Sequence, residues 1–342
     1  MVILGIETSC DETSSALVKD GVEIISNYVS SSVEIHKKYG GIIPEKAARE
    51  QLKAIIPVLK EALGTSTLAL EKKGNQLLTP SAQLPKIDAI AVTDGPGLIG
   101  SLLVGVETAK TLSFVLEKPL VPVNHLIAHF YANFLETKSP PKFPFVALIV
   151  SGAHTDLLIV KGHGKFSWLG GTRDDAAGEA FDKTGRLLGL GYPGGPAIQK
   201  EALGGNPKSF NLPRPLINSP DYDFSFSGLK TAVLREVTSD QFREARRKDL
   251  AAATQQAIVD TLVFKTLKAA KEYGVKEIIV GGGVAANQRL REEFKKKSST
   301  PVHFPQLELS IDNAAMVASA AYFNYKPIPW RTLNANPSLY FD

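Results

Sequence analysis

The chain has 342 residues, 44% of them hydrophobic and 22% charged, with a formal net charge of +4. That length accommodates two lobes with separate cores, and the balance excludes collagen-like, low-complexity and intrinsically disordered classes. A single cysteine, Cys10, excludes a disulfide framework, the first residues lack the basic flank of a signal peptide, and no apolar run approaches the roughly 20 residues that span a bilayer.

Residues 2–6 (Val-Ile-Leu-Gly-Ile) read as a buried strand that ends in the polar loop 7–13. Two short apolar runs, 16–18 and 22–25, flank Asp20-Gly21, a tight-turn dipeptide, and so predict a hairpin. A helix is expected from about 44 to 63, then an exposed polar insertion through residue 86 and a strand at 87–92. Gly95-Pro-Gly97-Leu-Ile-Gly100 opens another helix, its glycines suited to close packing. After a linker at 139–144 the order recurs: a strand at 145–150, the loop Ser151-Gly-Ala-His-Thr155, and a hairpin at 157–160 and 166–169 around Gly162-His-Gly164. Residues 213–222 are irregular. A long helix from about 248 to 273 precedes a strand at 277–280, and Gly281-Gly-Gly283-Val-Ala-Ala-Asn287 opens the helix that carries Arg289 and Arg291. The repeated order of meander, helix, strand, glycine turn and helix predicts a duplicated mixed α/β fold. Residues 1–122 are assigned to the N-terminal lobe and 123–342 to the C-terminal lobe, the last helix being a candidate to pack back on the first lobe.

His125-Leu-Ile-Ala-His129 places two imidazoles one turn apart on one helix face, the spacing for a shared cation. A zinc protease would need a glutamate beside the first histidine, and Leu126 stands there. Asp312, just before the Ala-rich run 314–321, reads either as a helix N-cap or as the third, oxygen ligand of a two-histidine, one-carboxylate site. Glu7, Asp11 and Glu12 gather carboxylates in the first loop, suited to a metal–phosphate complex or a proton transfer, or else to capping turns. If helical, Asp175, Glu179 and Asp182 form one acidic stripe among Ala, Gly and Phe, read as acceptors for ligand hydroxyls or a metal. The basic runs near 243–248 and 289–297 permit an anionic partner without requiring one.

Eight segments in order, Gly-Ile-Glu-Thr-Ser-Cys-Asp-Glu-Thr-Ser (5–14), Tyr-Gly-Gly-Ile-Ile-Pro-Glu (39–45), 95–105, His125-x3-His129, Asp-Asp-Ala-Ala-Gly-Glu-Ala-Phe-Asp-Lys (174–183), Tyr-Pro-Gly-Gly-Pro (192–196), Phe-Ser-Phe-Ser-Gly-Leu-Lys-Thr (224–231) and 281–287, resemble the tRNA N6-adenosine threonylcarbamoyltransferase family, once described as a glycoprotease family. The resemblance implies a two-lobe actin/Hsp70-like ATPase fold of ribonuclease H-like type. It implies transfer of threonylcarbamoyl from threonylcarbamoyl-adenylate to N6 of adenosine 37 in tRNAs reading ANN codons. By the family pattern His125, His129 and Asp312 would hold one Fe(2+) or Zn(2+). Ile149, Val150, Ser151, Gly152, Ala153, Asp182, Gly195 and Asn287 would hold the adenylate, and Asp11 and Glu12 would be catalytic. The resemblance also implies accessory subunits, an inactive paralogue and a small ATPase; ATP or ADP as a ligand, a homodimer, a cytoplasmic location and no membrane are further expectations. Departures from the pattern include Ala153 for a glycine, Gly171 for a glutamate, Asp94 for an arginine or alanine, Ser310-Ile311 for Cys-Thr, and the 64–86 insertion. A sugar or acetate kinase and a chaperone-type ATPase of the same fold are the rival readings.

Overall fold

A computed structural model describes residues 1–64, 72–73, 76–77, 86–239 and 242–341. Most of the expected insertion therefore lies outside the described residues. The strands are β1 (Val2–Glu7), β2 (Glu12–Lys19), β3 (Glu23–Ser31), the two-residue β4 (Lys72–Lys73) and β5 (Gln76–Leu77), β6 (Ala89–Gly95) and β7 (Leu120–Asn124). In the second half come β8 (Phe145–Val150), β9 (Thr155–Gly162), β10 (Lys165–Gly171), β11 (Glu277–Gly281) and β12 (Val302–His303). The two main sheets have the orders β3-β2-β1-β6-β7 and β10-β9-β8-β11-β12, so the duplication read from element order is a duplication of topology. In each, an antiparallel meander joins parallel strands: Ile6 pairs with Ser15 on one side and Val92 on the other, as Leu148 does with Leu157 and Val280.

The helices are α1 (Val33–Lys37), α2 (Pro44–Ala62), α3 (Ile99–Leu116), α4 (His125–Tyr131), α5 (Ala177–Leu187), α6 (Gly194–Glu201), α7 (Ser227–Val237), α8 (Arg247–Glu272), α9 (Gln288–Lys297) and α10 (Ala314–Phe323). Side chains alternate across each strand, and this sorts the core. Leu4, Ile6, Leu17, Ile90 and Val92 face a cluster with Ile55 and Leu59 of α2 and Val106 and Ala109 of α3. The opposite face, Ile3, Ala16, Val18, Ala89 and Ala91, packs against α10 and α4. That cluster also takes Phe145, Ala147, Ile149, Leu158, Val160 and Ile279 from the second sheet, so α4 and α10 lie between the sheets and are wetted by neither side. Val146, Leu148 and Val280 meet α5, α7 and α8 on the far side. α3, at 18 residues, is long and apolar enough by length and composition to cross a membrane, against the expectation that no apolar run approaches that length. Its Leu102, Val106 and Ala109 are buried in the core of the first sheet.

The irregular stretch 213–222 is fastened by a buried lysine. Lys265 of α8 has no exposed side-chain surface, and its ammonium donates to Ser219 Oγ at 2.6 Å and to the Asp221 carbonyl at 2.9 Å. Lys265→Ala removes these bonds and opens a cavity, so the unfolding free energy should fall by about 2–5 kcal/mol. Urea denaturation measures this, and Lys265→Met, which keeps the stem, should lose less.

Candidate metal centre and active site

α4 begins where Asn124, the last residue of β7, turns its Oδ1 onto the Leu126 and Ile127 amides at 2.8 and 3.3 Å. This neutral N-cap fixes His125 as the first helical residue and His129 one turn on. The two rings lie with centroids 4.5 Å apart. Facing them is Asp312. The N-cap of α10 is Asn313, whose side chain accepts from the Met316 amide at 3.1 Å, so the capping role open to Asp312 falls to its neighbour. Asp312 Oδ1 instead lies 3.3 Å from His129 Nε2 and 3.6 Å from His125 Nε2. One donor atom from each residue lies within 4.8 Å of the others, a cluster that can hold a metal ion.

The donor set and the burial both fit a cation. Two imidazoles and one carboxylate are the ligands of open zinc and non-haem iron sites. His129 is fully buried, yet neither ring nitrogen has a hydrogen-bond partner among the described residues; buried polar atoms rarely stay unpaired. Burial, then the neighbouring His125 and His154, hold His129 well below the usual imidazole range and hence neutral. Burial raises Asp312 to about 6, with Glu7 and Asp11 adding repulsion against the opposing pull of His125.

Glu7, at the end of β1, completes the arrangement. Its Oε2 accepts from Thr93 Oγ1 at 2.6 Å and lies 3.1 Å from His125 Nδ1, while Oε1 accepts from the Ser9 amide at 2.5 Å. With Nδ1 engaged by a carboxylate, His125 presents Nε2 toward Asp312. Burial disfavours the Glu7 carboxylate, but His125, Thr93 and Ser9 outweigh it and keep it ionised. In the sequence Glu7 reads only as one carboxylate of the loop; its place at the end of a buried strand is the available signal.

Asp11 and Glu12 follow on β2 and the turn before it. Burial, then Asp11 and Asp312, raise the Glu12 carboxyl well above its ordinary value, so both residues share the electrostatic environment of Asp312. Across from them stand Asp182 and Tyr192, each within electrostatic reach of Asp11. Asp182 Oδ1 accepts from the Gly194 amide at 2.6 Å, fastening the start of α6, in whose first turn Gly195 lies.

Ile149 and Val150 are buried in β8, and Ser151, Gly152 and Ala153 form the turn after it, the last two exposed. The triple glycine is mostly a packing device. A Cβ on Gly281 would meet the His129 carbonyl at 2.6 Å, and one on Gly282 the Val150 carbonyl at 2.4 Å; only Gly283 faces open space. Asn287 is the N-cap of α9, bonded to the Leu290 amide and to Gln255 at 3.0 Å each. His154, in the turn after β8, lies within electrostatic reach of His125 and His129, and burial with His125 lowers it to about 4.

The acidic stripe does not form as one. Asp175 precedes α5 and pairs with Lys183 and Lys230 at 2.6 and 3.0 Å, while Glu179 pairs with Lys183 at 2.7 Å. Only Asp182 of the three is turned to the α6 loop. Asp174 is a helix-start acceptor, taking the Phe226 and Ser227 amides at 2.7 and 3.2 Å. In the basic runs, Arg289 pairs with Glu293 at 2.7 Å and Arg291 binds the Ala285 and Pro305 carbonyls.

A fold likeness is found to the activator of the 2-hydroxyisocaproyl-CoA dehydratase from Clostridium difficile, with TM-score 0.51 and 16% identity over 94% of each chain. A crystal structure of full-length HypF matches with TM-score 0.59 and 12% identity over 94% of this chain and 55% of that one. These likenesses and the paired sheets show the actin/Hsp70-like two-lobe fold. The tRNA N6-adenosine threonylcarbamoyltransferase from Thermomicrobium roseum is 52% identical over 349 residues, covering 94% of this chain and 92% of that protein. A profile of the same family matches residues 23–319. The chain belongs to the tRNA N6-adenosine threonylcarbamoyltransferase family, and it is a transferase.

Proposed function

We propose that the chain moves the threonylcarbamoyl group from threonylcarbamoyl-adenylate to N6 of adenosine 37 in tRNAs reading ANN codons. The observation that carries this reading is the buried His125–His129–Asp312 cluster, lying between the paired sheets of a member of this family. His125, His129 and Asp312 would hold the Fe(2+) or Zn(2+), which when bound supplies a Lewis acid for the threonyl or carbamoyl oxygens. The N6 amine attacks the carbamoyl carbon of the mixed anhydride, a C–N bond forms, the C–O bond to phosphate breaks, and AMP departs with that oxygen. The Asp11–Glu12 pair, gathered in the electrostatic environment of Asp312, accepts the proton the amine loses. Ile149, Val150, Ser151, Gly152, Ala153, Asp182, Gly195 and Asn287 are proposed to hold the adenylate. Exposed Gly152 and Ala153 and the space beside Gly283 support this, because a nucleotide there reaches bare backbone. Ala153 adds one methyl to that surface.

The same fold in nucleotide-bound relatives supports ATP or ADP as a further ligand. An inactive paralogue and a small ATPase are proposed partners, as are a homodimer and a cytoplasmic site of action. Exposed Leu52 and Ile56 on α2, with Leu103 on α3, offer an apolar face for a partner subunit. Incubation with threonine, bicarbonate, ATP, the adenylate-forming enzyme, both partner subunits and unmodified tRNA should yield threonylcarbamoyladenosine by nucleoside mass spectrometry. No such product under these conditions sinks the reading.

A further inference from the structure

Beyond residue 319, where the family profile stops, the chain runs back over both sheets. Ile328 bridges to Leu120 of β7, and the Asn336 amide donates to the Asp94 carbonyl at 2.7 Å. A Cβ on Gly95 would meet the Asn336 carbonyl at 1.9 Å, so the strap of residues 336–341 is seated directly on the backbone of β6. Its last turn of contacts is made by Tyr340. The Tyr340 carbonyl accepts from Asn124 Nδ2 at 2.6 Å. The phenol donates to Asp156 Oδ1, which also takes Trp168 Nε1 at 3.0 Å, and Phe341 packs on Phe166.

Both ends of this link are informative. Asn124 is the N-cap of α4, so its Oδ1 already sits on the two amides that begin the helix of His125 and His129. An amide side chain has one oxygen and one nitrogen, and Tyr340 gives the nitrogen its acceptor, which fixes the orientation of the whole cap. Asp156 is the second residue of β9, immediately after the 151–154 turn, and Thr155 beside it accepts from the Ala177 amide that starts α5. We propose that Tyr340 is a positioning residue for the transfer reaction. By joining the Asn124 cap to Asp156, it sets the metal-ligand helix of one half-site against the substrate loop of the other. The proposal rests on the reading of α4 as the metal-ligand helix.

Three substitutions in the full chain test it. Tyr340→Ala removes the anchor on Asp156, Tyr340→Phe removes only the hydroxyl, and Asn124→Ser keeps a capping oxygen while deleting the donor to Tyr340. Tyr340→Ala and Asn124→Ser should each weaken Zn(2+) binding to the metal-free protein about tenfold, the lower end for loss of a supporting partner. Each should speed amide exchange at Leu126 and Ile127 and lower kcat while the KM for tRNA stays put. The double variant should be no worse than the stronger single one, and Tyr340→Phe should fall between Tyr340→Ala and the parent. Parent-like exchange at Leu126 and Ile127, or fully additive losses, overturns the proposal. If the parent chain binds no Zn(2+) at all, the metal reading fails, while exchange and kcat still decide the role of Tyr340.

Discussion

Replacing His129 by Ala should abolish metal retention and, with it, product formation, whereas Glu7→Gln should leave a weakened but working site. The difference follows from what each side chain touches. His129 offers the centre a neutral, fully buried nitrogen with no other partner among the described residues, and nothing nearby replaces it. Glu7 contacts the centre only through His125 Nδ1, 3.1 Å away, and substitution of such a supporting carboxylate typically costs 10–100-fold in metal affinity. Metal analysis after dialysis gives stoichiometry, and melting with and without added Zn(2+) gives the linkage. At a hundredfold excess over Kd the parent should gain about 2.7 kcal/mol, Glu7→Gln markedly less and His129→Ala nothing. Undiminished metal content in His129→Ala would remove it from the ligand set.

The fold was legible because strand burial leaves a strong pattern: the apolar runs opening each half became β1 and β8, and the Asp20-Gly21 and Gly162–Gly164 turns became hairpins. Less visible was β7, whose Leu-Val-Pro-Val-Asn contains a proline and joins without a break onto α4. The histidine pair was legible because a helix turns spacing of four into proximity. Asp312 reads from the residues alone as either cap or ligand, since which of Asp312 and Asn313 caps α10 depends on backbone angles that composition does not encode; Asn313 takes the cap and Asp312 faces both rings. For the triple glycine, a sequence cannot say whether bare backbone awaits a ligand or a neighbouring chain segment; two of its three positions are crossed by the His129 and Val150 carbonyls. The stripe of Asp175, Glu179 and Asp182 failed for a related reason. Spacing assumed one helix, while α5 starts at Ala177 and leaves Asp175 to two lysines. Glu7 and Tyr340 act through a histidine and an asparagine far away in sequence, and such links exist only once the sheets are packed.

Glu12→Gln should separate chemistry from stability. Removal of a positioned proton acceptor lowers kcat by roughly 10²–10⁴-fold, and Asp11→Asn should show a loss in the same range with the KM for tRNA little changed. Stability should move the other way. Burial, then Asp11 and Asp312, raise the folded-state proton affinity of Glu12 above the ordinary carboxyl value of 4.5. Between that value and its higher folded-state value the native chain holds more protons than the unfolded one, so stability is fully present below 4.5 and declines as pH rises. Glutamine cannot ionise and escapes that decline. The urea midpoint of Glu12→Gln should therefore match the parent at pH 4 and exceed it at pH 8, in metal-free protein where no cation offsets the buried charge. A variant less stable than the parent at pH 8 would mean that the Glu12 carboxylate is held favourably in the fold. Undiminished kcat in both Asp11→Asn and Glu12→Gln would move the proton acceptor elsewhere in the cleft.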